Sequence, residues 1–103
     1  MHKTEIKDLI AFSKEGPAKS IFYDEGNLKA QFMCLKEGQI IPPCKMGNDV
    51  LFYVIQGEGE IIVDNEKEAL FAGVSVIVPK KAESRSISAK TDLIILAVQA
   101  KGK

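Results

Sequence analysis

The chain has no tryptophan, one histidine, two cysteines and no net charge, its 14 Lys and Arg balancing 14 Asp and Glu. Each shortage excludes something. With His2 as the sole imidazole, at the extreme N-terminus, no histidine cluster is available for metal binding or general-base catalysis. Charge neutrality gives no long-range pull on nucleic acid or an anionic membrane, so neither partner is expected. It also protects the chain less against self-association. Cys34 and Cys44 form no C-x-x-C or other zinc spacing, and two cysteines make no disulfide framework. Both thiols are expected reduced, with a disulfide as the weaker reading. No run approaches the ~20 apolar residues of a membrane span, and Met1 to Glu5 lack the apolar core of a secretory signal. A soluble, cytoplasmic protein is expected.

What is present is enough for one core. The 103 residues are 46% hydrophobic and 27% charged, a globular balance that argues against disorder. One domain spanning 1–103 is expected: an N-terminal helix or arm over 1–18, a β-barrel over 19–99 and a short polar tail over 100–103. Ile6, Leu9 and Ile10 have helical spacing, with Thr4 as N-cap and Gly16-Pro17 as stop. An extended arm added to a sheet edge is the alternative.

From Ser20 onward the pattern is that of short strands separated by turn residues. Strands are predicted at Ile21–Tyr23, Leu28–Lys36, Gln39–Ile41, Val50–Gln56, Glu60–Val63, Glu68–Phe71, Val74–Val78, Glu83–Ser88 and Asp92–Gln99. Gly47-Asn48-Asp49 turns into the fourth, and Pro42-Pro43 marks an edge or corner. Many short strands at near-even spacing mean an all-β sandwich or barrel, with no room for the crossover helices of a parallel sheet. Leu51 to Ile55 and Leu93 to Val98 are apolar on both strand faces. The second face must therefore pack on something, and a homodimer is the leading explanation. Coverage by the N-terminal segment alone is the other.

Gly38 to Gly57 resembles the first motif of the cupin family of small β-barrels: a Gly, five residues, His-x-His, three or four residues, Glu, six residues, Gly. Cys44, Met46 and Val50 stand where the two His and the Glu would stand. Gly73 and Pro79 match the second motif, with Lys81, Ser84 and Ser88 in place of its later Gly, His and Asn. Gly57-Glu58-Gly59 looks like the family's glycine corner, and the likeness spans about Ala30 to Gln99. It implies a single cupin-like barrel (jelly roll, or double-stranded β-helix). The family's metal ligands are not carried over, so no cofactor and no usual metal site is expected, and the metal-dependent activities lose support.

Side chains at i and i+2 on a strand share a face. If Cys44 and Met46 point inward, two sulfur donors share one wall, a set suited to Cu(I), with Met33 or Cys34 as a third. The bland reading, which is preferred, is that they line an apolar interior. A reactive Cys44 lacks a base, and its neighbour Lys45 points to the opposite face. Ser84, Ser86 and Ser88 share one face, with Arg85 and Ile87 on the other. The serines either edge the pocket as hydrogen-bond donors or form an exposed rim, and a one-residue slip of register reverses the faces. Lys80, Lys81, Glu83 and Arg85 read as a solvated loop in preference to a contact for an anionic ligand. Asp49 is explained by its turn, and Tyr23 and Tyr53 serve equally as acids or as packing aromatics.

The expected function is a metal-free module that binds or senses an unidentified small molecule, without evident catalytic machinery. Its pocket would be lined by Cys44, Met46, Val50, Phe52 and Val54, with Ser84 and Ser86 as polar points. The alternatives are a metal-independent sugar isomerase or epimerase, which needs an acid–base pair that the chain does not plainly offer, and a Cu(I)-type binder.

Overall fold

The computed structural model describes residues 1–101. Nine antiparallel strands follow one another: β1 (Ala18–Glu25), β2 (Leu28–Leu35), β3 (Ile40–Cys44), β4 (Val50–Gln56), β5 (Glu58–Val63), β6 (Glu66–Phe71), β7 (Ser75–Val78), β8 (Arg85–Ala89) and β9 (Leu93–Ala100). They form two sheets, ordered β1-β2-β9-β4-β7 and β3-β8-β5-β6. Of the expected 100–103 tail, Ala100 ends β9 and Lys101 is pinned, its N–H donating to Asn27 O and its Nζ meeting Asp24 Oδ1. Gly102 and Lys103 lie outside the described residues. No described helix is long and apolar enough to cross a membrane.

The core is the space between the sheets. In β4 the burial pattern alternates from Val50, and Phe52 and Val54 are 1% and 0% exposed. They meet Ile61, Leu70, Ile87, Leu93 and Ile95 from both sheets. The period of two puts every second residue of each strand into this layer. Pro42 and Pro43 lie within β3, an edge strand, where the register with β8 breaks between Ile41 and Cys44. An edge tolerates the missing N–H donors that a central strand could not.

The glycine corner has a steric cause. Gly57 has φ +94°, and a Cβ there would lie 2.0 Å from Asp92 O. A Cβ on Gly59 would lie 2.2 Å from Ser88 O. Only glycine lets these backbones approach.

The N-terminal segment is not the expected helix over Thr4 to Phe12. It holds one 3-10 turn, Ile6–Asp8, preceded by Glu5 with no side-chain cap. Nine residues without a cap make a marginal helix, and tertiary contact decides instead. Ile6, Leu9 and Phe12 pack as an arm on Phe32, Cys34 and Ile94, on the outer face of the larger sheet. Ser20 Oγ donates to Leu9 O, and Gln39 Nε2 to Ser13 O, to hold the arm down. The arm covers only part of that face. Ile77 remains 69% exposed and Tyr53 39%. Ile77 is the register partner of Leu51, which in turn pairs with Val98, so an apolar row stays uncovered.

Candidate ligand site at the barrel mouth

One end of the barrel is formed by the start of β4, the end of β5, the start of β8 and the loops 45–49 and 79–84. The loops are laced together. Asp49 Oδ1 accepts from Lys80 N at 2.8 Å, and Asp64 Oδ1 accepts from Glu83 N and Ser84 N at 2.9 and 3.1 Å. Lys45 Nζ donates to Ala82 O at 3.2 Å and pairs with Glu83 at 3.7 Å.

Of the expected pocket residues, Val50, Phe52 and Val54 face the interior and are packed core. Cys44 and Met46 do not share a wall. β3 ends at Cys44, so the alternation does not extend to Met46, which lies in the loop. Cys44 is exposed, while Met46 is half-buried against the core. Their sulfurs are not a matched pair, which removes the geometric basis of the Cu(I) reading. Cys34 packs under the arm with Phe32 and Met33 in the main core, so they supply no common third ligand.

The faces of β8 are the reverse of those the motif alignment gave. Arg85, Ile87 and Ala89 are inside, at 4%, 1% and 5% exposure, while Ser86 and Ser88 are half-buried on the other phase. Ser84, also half-buried, precedes the strand. The pairing explains the phase. Ile87 stands opposite both Ile41 and Ile61, and Ala89 opposite Gly59, where a small residue is needed. Burying Ile87 forces Arg85, two residues earlier, inward as well.

Arg85 is buried, against the expectation that it belongs with Lys80, Lys81 and Glu83 to a solvated loop. Among the described residues it is the only charged side chain that is buried. Its guanidinium lies over the Phe52 ring, 5.6 Å from the centroid, and Nη2 donates to Met46 Sδ at 2.6 Å. Nε and Nη1 are buried with no acceptor. Burial pushes the guanidinium below its ordinary value. A thioether is a weak acceptor, and each unmet buried donor costs about 1–3 kcal/mol.

The family's metal does not fit these residues. Val50 offers no donor, Met46 is engaged by Arg85, and a fixed cation opposes a second one in the same space. No group of three or more His, Cys, Asp or Glu among the described residues is placed to hold a metal ion.

A cleft of about 260 Å³ opens between the edges of β6 and β7, the outer strands of the two sheets. Ile61, Val63, Val76, Ile77 and Ala82 line it with apolar surface, and Asp64, Glu66, Glu68 and Lys81 add charge. None of the seven residues expected from sequence lines it, nor does Arg85 itself. Val63 is the register partner of Arg85.

The fold is shared widely. Solved structures similar to the chain include the TT1209 protein of Thermus thermophilus, 22% identical with a TM-score of 0.89, covering 98% of both chains. An RmlC-like cupin from Desulfovibrio desulfuricans is 20% identical with a TM-score of 0.87, covering 98% of this chain and 97% of that one. A conserved protein of unknown function from Streptococcus pyogenes is 17% identical with a TM-score of 0.85, over 98% and 88%. A search of curated proteins returned no match. The model of the cupin domain matches residues 31–98, from the inner strands of the larger sheet through both motif regions, and the chain belongs to the cupin family.

Proposed function

We propose that the protein is a small-molecule binding or sensing module that works without a metal, with its ligand site at the barrel mouth. The observation that carries this reading is Arg85: a charged group 4% exposed, with two nitrogens lacking any acceptor. Folded proteins rarely leave such groups unmet unless something else meets them. The cupin fold supports binding as a general role, and the adjoining cleft supports entry of a small ligand.

An isomerase or epimerase needs an acid and a base facing one substrate. Tyr53 lies on the uncovered outer row, Tyr23 packs edge-on to His2, and the carboxylates of the cleft are exposed and have no tyrosine beside them. The binding reading is therefore preferred. The module works as a homodimer through the row of Ile77, Leu51 and Val98 and nearby Tyr53, since the arm leaves Ile77 and Tyr53 exposed and Leu51 and Val98 only half-buried.

A thermal-shift screen against sugars, organic acids and nucleotides tests the binding role, paired with elemental analysis of the purified protein. A saturable stabilisation by at least one class, with substoichiometric transition metal, is expected. A tightly held transition metal at one per chain would overturn the reading, and so would silence across the whole panel.

A further inference from the structure

We propose that Arg85, at the barrel mouth, is the receptor for the carboxylate of a small, singly charged organic acid whose apolar body extends into the adjoining cleft. This rests on the binding-module reading and names the ligand class. A guanidinium carries five N–H donors and no acceptor. Here the donors meet one thioether and one aromatic face, and no carboxylate among the described residues forms an ion pair with them. Asp64, at the β5–β6 turn beside Val63, is already committed to the backbone of Glu83 and Ser84. The missing partner is thus an external oxyanion with at least two oxygens, which can meet Nη1 and displace the weak sulfur contact at Nη2. Met46, flexible and half-buried, can give way as it enters.

Charge limits the ligand further. One buried guanidinium balances one negative charge, and a second charge on the ligand would be left uncompensated in the interior. Asp64, Glu66 and Glu68 line the cleft with only Lys81 against them, and they oppose a multiply charged anion more strongly than a singly charged one. A monocarboxylate therefore fits better than a phosphate dianion. Val63, Val76 and Ala82 supply apolar surface for its hydrocarbon part in the adjoining cleft, and about 260 Å³ there limits that part to a few carbons or a single ring.

The test is calorimetric titration and thermal shift of the whole chain with acetate, butyrate, hexanoate and benzoate. The matched primary amides and inorganic phosphate are run beside them, on the wild type, Arg85→Lys and Arg85→Met. At least one acid should bind and stabilise, its amide should not, and phosphate should be weaker. Arg85→Met should melt higher than wild type without ligand, because an unmatched buried charge is gone, and should lose the response to acid. Arg85→Lys keeps the charge but not the planar donor set, and should weaken binding about tenfold or more. Amides binding as well as acids would overturn the proposal, as would acid binding that survives in Arg85→Met, or phosphate preferred over every acid. A neutral ligand that binds the mouth while no acid does would overturn this assignment and leave the module reading standing. Silence from every class would remove both.

Discussion

The two ends of the barrel are built on opposite terms. At the glycine end, backbone meets backbone: Gly57 against Asp92, Gly59 against Ser88, with Lys90 and Thr91 N–H both donating to Glu58 O, and Leu35 and Leu93 sealed at 0% exposure. Donors there are met within the chain. At the mouth, one cation is buried with two of its nitrogens unmet, beside a methionine and next to a cleft of mixed apolar and charged lining. The difference teaches that the contacts that hold the sheets and the unmatched charge are kept apart. The closed end holds the sheets in register, and the mouth carries the unfavourable group, which a rigid scaffold can hold in place.

Replacing Gly57 with Ala attacks the closed end and should have the largest effect. The added Cβ meets Asp92 O at 2.0 Å in a left-handed backbone, and a loss of about 3 kcal/mol is expected in chemical denaturation. The mouth should answer in the opposite direction. Arg85→Met removes the unmatched charge and should raise the denaturation midpoint by an amount equivalent to about 1–2 kcal/mol; a loss of similar size would make Arg85 a structural residue like those of the other end. Smaller still is Ile77→Lys on the outer row. Sedimentation should show a shift from dimer to monomer, while secondary structure by circular dichroism stays unchanged. A wild-type chain that sediments as a monomer would remove the dimer.

The smallest effect lies outside both ends. The Asp24 carboxyl is held below its ordinary value near 3.8, chiefly by its hydrogen bond to Lys101. Because its folded value is depressed, its contribution is present above that ordinary value and fades as pH falls through the folded one. Asp24→Asn should therefore lower the melting temperature slightly at pH 7, and the difference from wild type should shrink as pH falls below the ordinary carboxylate range.

Much of the architecture is legible in the residues. The short apolar run of Val50 to Gln56, the Gly57–Gly59 corner and the two prolines of β3 are local constraints that an antiparallel barrel satisfies together. The arm is not legible as such, because Ile6, Leu9 and Phe12 have a spacing that serves a helix and a strap equally well, and the sheet beneath them decides. The mouth misleads for a different reason. Aligning Ser84 with the motif histidine sets the phase of β8 by one residue, whereas Ile87 and Ala89, the apolar residues in Arg85-Ser86-Ile87-Ser88-Ala89, set it by burial. Reading those two as inward brings Arg85 inside from sequence alone. Met46 was beyond such reasoning, since the strand stops at Cys44 and the i, i+2 rule stops with it.

Arg85 is the only arginine in the chain, so its Nε–Hε group gives a single, unambiguous nuclear magnetic resonance signal. Titration with the monocarboxylate that stabilises the protein most should move the Hε resonance downfield and slow its exchange with water, in parallel with the calorimetric curve. A signal that stays in place at saturation, or the lack of any stabilising monocarboxylate, would contradict the assignment of the buried guanidinium as the ligand's anchor.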